Sequence, residues 1–166
     1  MTRRLALAGL LLLGAAAVPA AELPKLALTD LRDGKPRALP DLVEGPALLI
    51  LFEPRCPWCV RQLRAVDRIT AACPEALEAA GVGVHGDTPG YRRVLHAAEV
   101  ELPAVAGTDR LLATVGGVPA TPFTLFVDRA GRVTHRLRGY VPPADLLPWL
   151  RRRGVECPPL PSTEAP

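Results

Sequence analysis

The feature that most restricts how this chain can fold is an apolar run, ALLILF at residues 47–52, followed within four residues by a pair of cysteines, Cys56 and Cys59. A continuous apolar run of this length is typical of a central strand that is buried on both faces of its sheet. Pro57 suits the first position of a helix, and apolar residues then recur at helical spacing to about residue 71. The sequence therefore predicts a buried strand that leads into a dithiol at the start of a helix.

The rest of the chain predicts one α/β domain over residues 24–154. The dipeptide Asp33-Gly34 indicates a β-hairpin with a two-residue turn near the start of that domain. The further expected elements are a strand ending near Gly86, helices over residues 88–99, 109–115 and 144–153, and a hairpin built on residues 123–127 and the strand after the turn at 128–131. This order predicts a central mixed sheet with helices on both faces. The Pro-rich tail, residues 155–166, is not expected to pack by itself.

Residues 1–20 have the pattern of a secretory signal peptide. A short basic start precedes an apolar stretch, and Val18 and Ala20 occupy the −3 and −1 positions of a cleavage site. An uncleaved membrane anchor is the alternative, although the apolar stretch is shorter than the roughly 20 residues that span a bilayer. We expect a periplasmic or otherwise extracytoplasmic protein, in a compartment where disulfides persist.

The charge balance gives no sign of a nucleic-acid partner. The formal net charge is +3 and would fall to about +1 if Arg3 and Arg4 left with the leader. The one basic cluster, residues 151–153, lies where a helix is expected to end, and basic side chains there complement the helix dipole.

The position of the cysteine pair indicates thiol chemistry. At the start of a helix, unpaired backbone N–H groups and the helix dipole stabilise a thiolate and can lower a thiol pKa from about 8.5 to between roughly 3.5 and 7.5. Arg55 adds positive charge beside Cys56. Cys59, one turn further along, can then attack a mixed disulfide formed at Cys56. The sequence predicts that Cys56 is the nucleophile and Cys59 the resolving thiol.

Other uses of a cysteine pair fit less well. Haem attachment needs a histidine after the second cysteine, where Val60 stands, and a zinc site usually has a second close pair, whereas Cys73 and Cys157 are isolated. A peroxiredoxin would carry threonine at the position of Glu53. We therefore expect a redox-active disulfide with no metal and no other cofactor. A metal-binding or metal-delivery module and a purely structural bridge remain the alternatives.

A second segment supports this interpretation. The stretch LALTDLRDGKPRALPDLVEGPALLILF, the CxxC and the later TPFTLFVDRAGRV together resemble the thioredoxin superfamily, and most closely its extracytoplasmic TlpA/ResA-type thiol-disulfide oxidoreductases, over about residues 26–150. The resemblance implies a thioredoxin-like fold with an N-terminal β-hairpin. It also implies that Pro122 is a cis-proline facing the dithiol and that Thr121 helps to dock substrate backbone. Trp58 lies between the two cysteines and cannot be buried behind them, so we expect it to contact partners. The segment EPRCPWC also resembles the DP-x-CPYC stretch of DsbG-type proteins, which likewise carry threonine before the cis-proline.

The sequence departs from these relatives at two positions. Ile50 stands where thioredoxins keep a buried aspartate, and Gln62 stands where TlpA/ResA-type proteins often keep a glutamate. Glu53 is then the only carboxylate close in sequence to the dithiol. We hypothesise that Glu53, together with Arg55, tunes the Cys56 thiolate; the alternative is that Glu53 is a solvated loop residue.

The remaining two cysteines lie just beyond the CxxC helix and the final helix, which in the implied fold cover the same face of the sheet. A Cys73–Cys157 disulfide is therefore expected, and closing so long a loop would stabilise the fold by roughly 4 to 5 kcal/mol. Two free thiols are the alternative.

The resemblance also implies a function. We expect a monomeric protein thiol-disulfide oxidoreductase whose partners are protein thiols and disulfides. The expected direction is reduction, with electrons from a membrane thiol donor and clients such as apocytochrome c. A disulfide oxidase or isomerase on the same fold is the alternative, because the sequence does not fix the direction of electron flow.

Overall fold

The structure is a computed structural model that describes residues 21–160. The expected leader at residues 1–20 and the last six residues of the tail lie outside the described residues. The strands are β1 (Ala21–Glu22), β2 (Leu28–Asp30), β3 (Pro36–Arg37), β4 (Ala47–Phe52), β5 (Glu78–Gly83), β6 (Ala104–Ala106), β7 (Phe123–Val127) and β8 (Arg132–Arg138). The helices are α1 (Pro57–Ala72), α2 (Thr88–Ala98), α3 (Asp109–Thr114), α4 (Pro143–Arg151) and a short 3-10 helix over Leu39–Asp41.

The strands form one mixed sheet in the order β1-β8-β7-β4-β5-β6-β2-β3. The apolar strand β4 lies near its centre, parallel to β5 and antiparallel to β7. Every residue of β4 is buried, as the unbroken apolar run predicts for a strand covered on both faces. Because β4 and β5 are parallel and joined through α1, their carboxyl ends lie side by side at the same end of the sheet.

The core has two halves, one on each face of the sheet. Alternate residues of β4 divide between them: Leu48, Ile50 and Phe52 pack with side chains from α1, α2 and α4, while the others pack with α3 and the 3-10 helix. The expected α/β fold, a mixed sheet with helices on both faces, is thus confirmed.

The N-terminal hairpin is present as β2 and β3, but the predicted two-residue turn at Asp33-Gly34 is wrong. Residues 31–34 form the loop, because Asp30 N donates to Lys35 O at 2.8 Å and Gly34 N donates back to Asp30 O at 3.0 Å. The buried Asp30 carboxylate organises this loop by accepting from Arg32 N at 2.7 Å. A buried side chain therefore overrides the local turn signal.

The C-terminal end of the described chain packs on α1. Val155 and Cys157 are both buried, and Cys157 forms a disulfide with Cys73, the residue that ends α1. The packed domain therefore reaches at least Cys157. Within residues 21–160 no helix has the length and apolar character needed to cross a membrane.

Candidate active site

The site is built where β4 ends and α1 begins. Cys56 is the N-cap of α1, with extended backbone, and its Sγ accepts a hydrogen bond from Cys59 N at 3.1 Å. The two cysteines form a disulfide with a Cα–Cα separation of 5.2 Å. The strand and the proline-started helix thus hold Cys56 Sγ against the first backbone N–H groups of α1, where a negative charge on sulfur is stabilised.

The two sulfurs differ in access. Cys59 is 0% exposed and belongs to the core on the α1 side of the sheet, whereas Cys56 is only partly buried and packs at its edge. An external disulfide or thiol can therefore approach Cys56 but not Cys59. The predicted roles, Cys56 as nucleophile and Cys59 as resolving thiol, require this asymmetry.

Thr121 and Pro122 lie beside the dithiol, and the peptide bond between them is cis. Pairing of Phe123 with Leu51 brings the start of β7 next to the end of β4. The Thr121 hydroxyl lies 3.9 Å from Cys56 Sγ. The two segments, far apart in sequence, therefore meet at Cys56 Sγ.

The same hydroxyl reaches Glu53. Thr121 Oγ1 donates a hydrogen bond of 2.6 Å to Glu53 Oε1. Because a hydroxyl carries one proton, the shorter contact to the carboxylate takes it, and the Thr121 oxygen is left facing the sulfur. Glu53 is half-buried. It is thus part of the cysteine environment, not simply a solvated loop residue.

Arg55 precedes Cys56 and has a φ of +60°, in the left-handed region that non-glycine residues seldom adopt. Its side chain is exposed, and within residues 21–160 it makes no ion pair and no side-chain hydrogen bond. It contributes an uncompensated positive charge next to Cys56.

An aromatic cleft lies on the β7–β8 side of the dithiol. Trp58 is 52% exposed, and its ring centroid lies 5.8 Å from the ring centroid of Tyr140. The Arg61 guanidinium lies over one face of the Trp58 ring, 4.6 Å from its centroid. The cleft has a volume of about 410 Å³ and is lined by Trp58, Thr121, Pro122, Gly139 and Tyr140. Sequence reasoning missed Tyr140, because no motif near it indicates that the end of β8 reaches the dithiol.

The two positions at which the family resemblance led us to look for acids hold neutral side chains. Ile50 and Gln62 are both 0% exposed. Gln62 Oε1 accepts from Val141 N at 2.7 Å, so the side chain ties α1 to the segment after β8. Gln62 Nε2 and the buried Thr124 Oγ1 have no hydrogen-bond partner among the described residues. The region behind Cys59 therefore offers polar but not ionisable groups.

Cys73 and Cys157 lie at the far end of α1 from the dithiol, joined by a disulfide with a Cα–Cα separation of 5.2 Å. No cysteine of the described chain is free. Among residues 21–160, no three or more His, Cys, Asp or Glu side chains are grouped so that they could hold a metal ion.

Comparison with known proteins finds its matches among solved structures. No protein-family model matches the sequence, and no curated protein matches it. The structure of MTB dsbF in its mixed oxidized and reduced forms is 25% identical, with a TM-score of 0.66 over 77% of this chain and 94% of that one. A thioredoxin-family thiol:disulfide interchange protein from Chlorobium tepidum is 18% identical, with a TM-score of 0.68 over 82% and 98%. A secreted Mycobacterium tuberculosis disulfide oxidoreductase homologous to E. coli DsbE is 21% identical, with a TM-score of 0.60 over 74% and 91%.

These neighbours confirm the resemblance read from the sequence. They are thioredoxin-family thiol-disulfide oxidoreductases, and the present chain places a CxxC disulfide, Cys56–Cys59, at the N-terminus of a helix on the same type of mixed sheet. The chain therefore has the thioredoxin-like fold of the thiol-disulfide oxidoreductases and carries a CxxC disulfide, Cys56–Cys59.

Proposed function

We propose that this chain is an extracytoplasmic protein thiol-disulfide oxidoreductase in which Cys56 attacks and Cys59 resolves. The observation that carries the proposal is the unequal exposure of two bonded sulfurs at a helix N-terminus, with Thr121 against the accessible one. A structural bridge would not require one sulfur to be open to partners. The signal-peptide pattern of residues 1–20 supports the location, together with the description of one structural neighbour as secreted.

In the reducing direction, a client disulfide is reduced in two thiol-disulfide exchange steps. The Cys56 thiolate attacks one sulfur of a client disulfide, forms a mixed disulfide and releases the other client sulfur as a thiolate, which takes a proton from water. The Cys59 thiol then loses its proton and attacks Cys56 Sγ, which releases the second client thiol and forms Cys56–Cys59. The client gains two electrons and two protons, and the dithiol loses them.

Client docking is assigned to the groups that surround Cys56. An extended client segment would lie along Thr121 and Pro122, and a side chain next to the client cysteine would enter the aromatic cleft of Trp58 and Tyr140. Apolar side chains gain most there, because an exposed indole and a neighbouring phenol offer a partly apolar surface.

We assign the direction as reduction, with electrons from a membrane thiol donor and apocytochrome c as a client. The resemblance to TlpA/ResA-type proteins supports this assignment, and so does Glu53. A carboxylate hydrogen-bonded beside the sulfur opposes thiolate formation, and a less stable thiolate makes a weaker oxidant. Arg55 acts in the opposite sense, but its side chain is exposed and screened by solvent.

The deciding measurement is the reduction potential of the Cys56–Cys59 pair, determined in glutathione buffers. A value of about −270 mV is expected, and one of about −120 mV would assign the protein as an oxidant. Insulin reduction tests the exchange activity itself, with Cys56→Ser as the inactive control. Metal analysis of the reduced protein tests the metal-delivery alternative, since a tightly bound metal and no insulin reduction would favour that function.

A further inference from the structure

The dithiol is flanked by a second cleft, on the opposite side from the aromatic one. The aromatic cleft lies toward β7 and β8, whereas the second cleft lies between the segments that follow the parallel strands β4 and β5. It has a volume of about 850 Å³. Its lining residues are Glu53, Pro54, Arg55, His85, Gly86, Asp87, Gly90 and Arg93.

The basic groups of this cleft are unpaired. Within residues 21–160, neither Arg55 nor Arg93 makes an ion pair or a side-chain hydrogen bond. The two carboxylates are already engaged: Glu53 accepts from Thr121, and Asp87 accepts from Gly90 N at 2.8 Å as the N-cap of α2. The helix N-terminus offsets the charge of Asp87. The cleft therefore offers free guanidinium donors, which match a carboxylate in a bidentate way.

The two segments that form the walls of the cleft pack closely against each other. A side chain at Gly86 or Gly90 would meet Pro54 at 2.5 and 2.7 Å, so only glycine permits the start of α2 to close on the segment after β4. Gly86 N also donates to the hydroxyl of the buried Tyr91 at 2.9 Å. Such packing pre-organises the cleft for a ligand.

Unusual backbone conformations concentrate at the same place. Three non-glycine residues of the described chain have positive φ, and two of them, Arg55 at +60° and His85 at +54°, line this cleft from its two sides. The third, Glu99, simply ends α2. Residues held in sparsely populated conformations cluster at binding sites more often than elsewhere.

We propose that this cleft is a carboxylate subsite, in which Arg55 and Arg93 bind an Asp or Glu side chain of the client that lies next to its reactive cysteine. The proposal rests on the function proposed above and adds to it a preference for clients with an acidic residue next to the reactive cysteine. A client segment crossing Cys56 would place an apolar side chain in the aromatic cleft and an acidic one between the two arginines.

The test uses capped peptides that each contain one cysteine as a 2-thiopyridyl disulfide, a leaving group without a carboxylate. The residue beside the cysteine, on each side in turn, is Glu, Gln or Lys. The full chain is reduced with dithiothreitol and freed of it, and release of pyridine-2-thione gives the rate constant. On whichever side of the cysteine the effect is larger, we expect the Glu peptide to react about fivefold faster than the Gln peptide. This ratio of rate constants should decline as salt is added.

Arg93→Gln should bring the Glu-to-Gln rate ratio close to one. Arg93→Glu should favour the Lys peptide. Arg129→Gln is the matched control, since Arg129 is exposed in the turn between β7 and β8, at the other end of these strands. An equal rate for the Glu and Gln peptides, or an unchanged ratio in Arg93→Gln, would overturn the subsite while leaving the exchange function in place.

Two other outcomes are also decisive. If glutathione disulfide shows the same dependence on Arg93 and the Glu peptide does not, the cleft selects a small thiol and the assignment to a protein client is wrong. If the protein reduces no peptide in any variant, the proposed function itself fails.

Discussion

Thr121 and Glu53, which are 68 residues apart in the chain, are joined by a hydrogen bond of 2.6 Å between the threonine hydroxyl and Oε1 of the carboxylate. The same hydroxyl lies 3.9 Å from Cys56 Sγ. An acid is thus connected to the reactive sulfur through one hydroxyl group, although neither of the two positions used by relatives carries an acid.

This connection predicts how Cys56 ionises in the reduced protein. A carboxylate near a thiolate disfavours the charged sulfur, so Glu53→Gln should move the midpoint of Cys56 alkylation to lower pH by about one unit. The measurement is the rate of iodoacetamide alkylation against pH, made in a Cys59→Ser background so that only Cys56 reacts. Glu75→Gln, an exposed glutamate after α1, is the control. An unchanged profile in Glu53→Gln would remove Glu53 from the mechanism.

Thr121→Val tests the route of this effect. Valine keeps the shape of threonine but removes the hydroxyl, so the Glu53 carboxylate loses its donor. If the effect passes through the hydroxyl, Glu53→Gln should shift the alkylation midpoint less in the Thr121→Val background than in the wild type. Equal shifts in the two backgrounds would mean that Glu53 acts through space alone.

The two tryptophans are expected to separate binding from stability. Trp58 is 52% exposed beside the dithiol, whereas the Trp149 ring is packed between the Arg153 guanidinium, at 3.6 Å, and Phe126, at a centroid distance of 5.5 Å. Trp58→Ala should slow exchange with aromatic peptides about tenfold and change the free energy of unfolding by less than about 0.5 kcal/mol. Trp149→Ala should lower the free energy of unfolding by about 2 kcal/mol and leave peptide selectivity intact. Urea unfolding and peptide kinetics are measured on the same samples. A large loss of stability in Trp58→Ala, or a changed peptide selectivity in Trp149→Ala, would contradict this separation.

The second disulfide is expected to stabilise the fold without taking part in exchange. It joins residues 84 apart and lies at the opposite end of α1 from Cys56. Replacing Cys73 and Cys157 together by alanine should lower the free energy of unfolding by roughly 4 to 5 kcal/mol on the loop-entropy account. Insulin reduction, measured well below the unfolding temperature, should be unchanged. A loss of exchange in a folded double variant would show that this bridge participates in the chemistry.

Much of the fold could be predicted because its strongest signals are local. The apolar run at β4 and the helical spacing after Pro57 gave elements close to those observed, Ala47–Phe52 and Pro57–Ala72. Strands β1 and β6 were missed, because Ala21–Glu22 and Ala104–Ala106 are too short to show a period and exist only through pairing with β8 and with β2 and β5.

In the candidate site, too, some residues could be predicted from local motifs and others could not. The dithiol and the Thr121-Pro122 pair are visible as motifs. The contact between Glu53 and Thr121 depends on strand pairing between β4 and β7, and the charged cleft depends on the parallel pairing of β4 with β5. Arg93 and His85 carry no motif that points to the dithiol, so only the assembled sheet identifies them.

Gln62 provides the last test, because it is fully buried at a position where the resemblance to TlpA/ResA-type proteins often implies a glutamate. Gln62→Glu would retain an oxygen acceptor for Val141 N, but burial should raise the pKa of the introduced carboxyl above its unfolded value of about 4.3. The unfolded state then gives up its proton first as the pH rises. The free energy of unfolding should therefore fall with increasing pH by about 1.4 kcal/mol per unit, from near pH 4.3 up to the raised pKa. Urea unfolding between about pH 4 and pH 8 measures this slope, with Ala71→Glu, at an exposed position on the same helix, as the control. A Gln62→Glu variant with no more pH dependence than Ala71→Glu would show that the region behind Cys59 accommodates a charge.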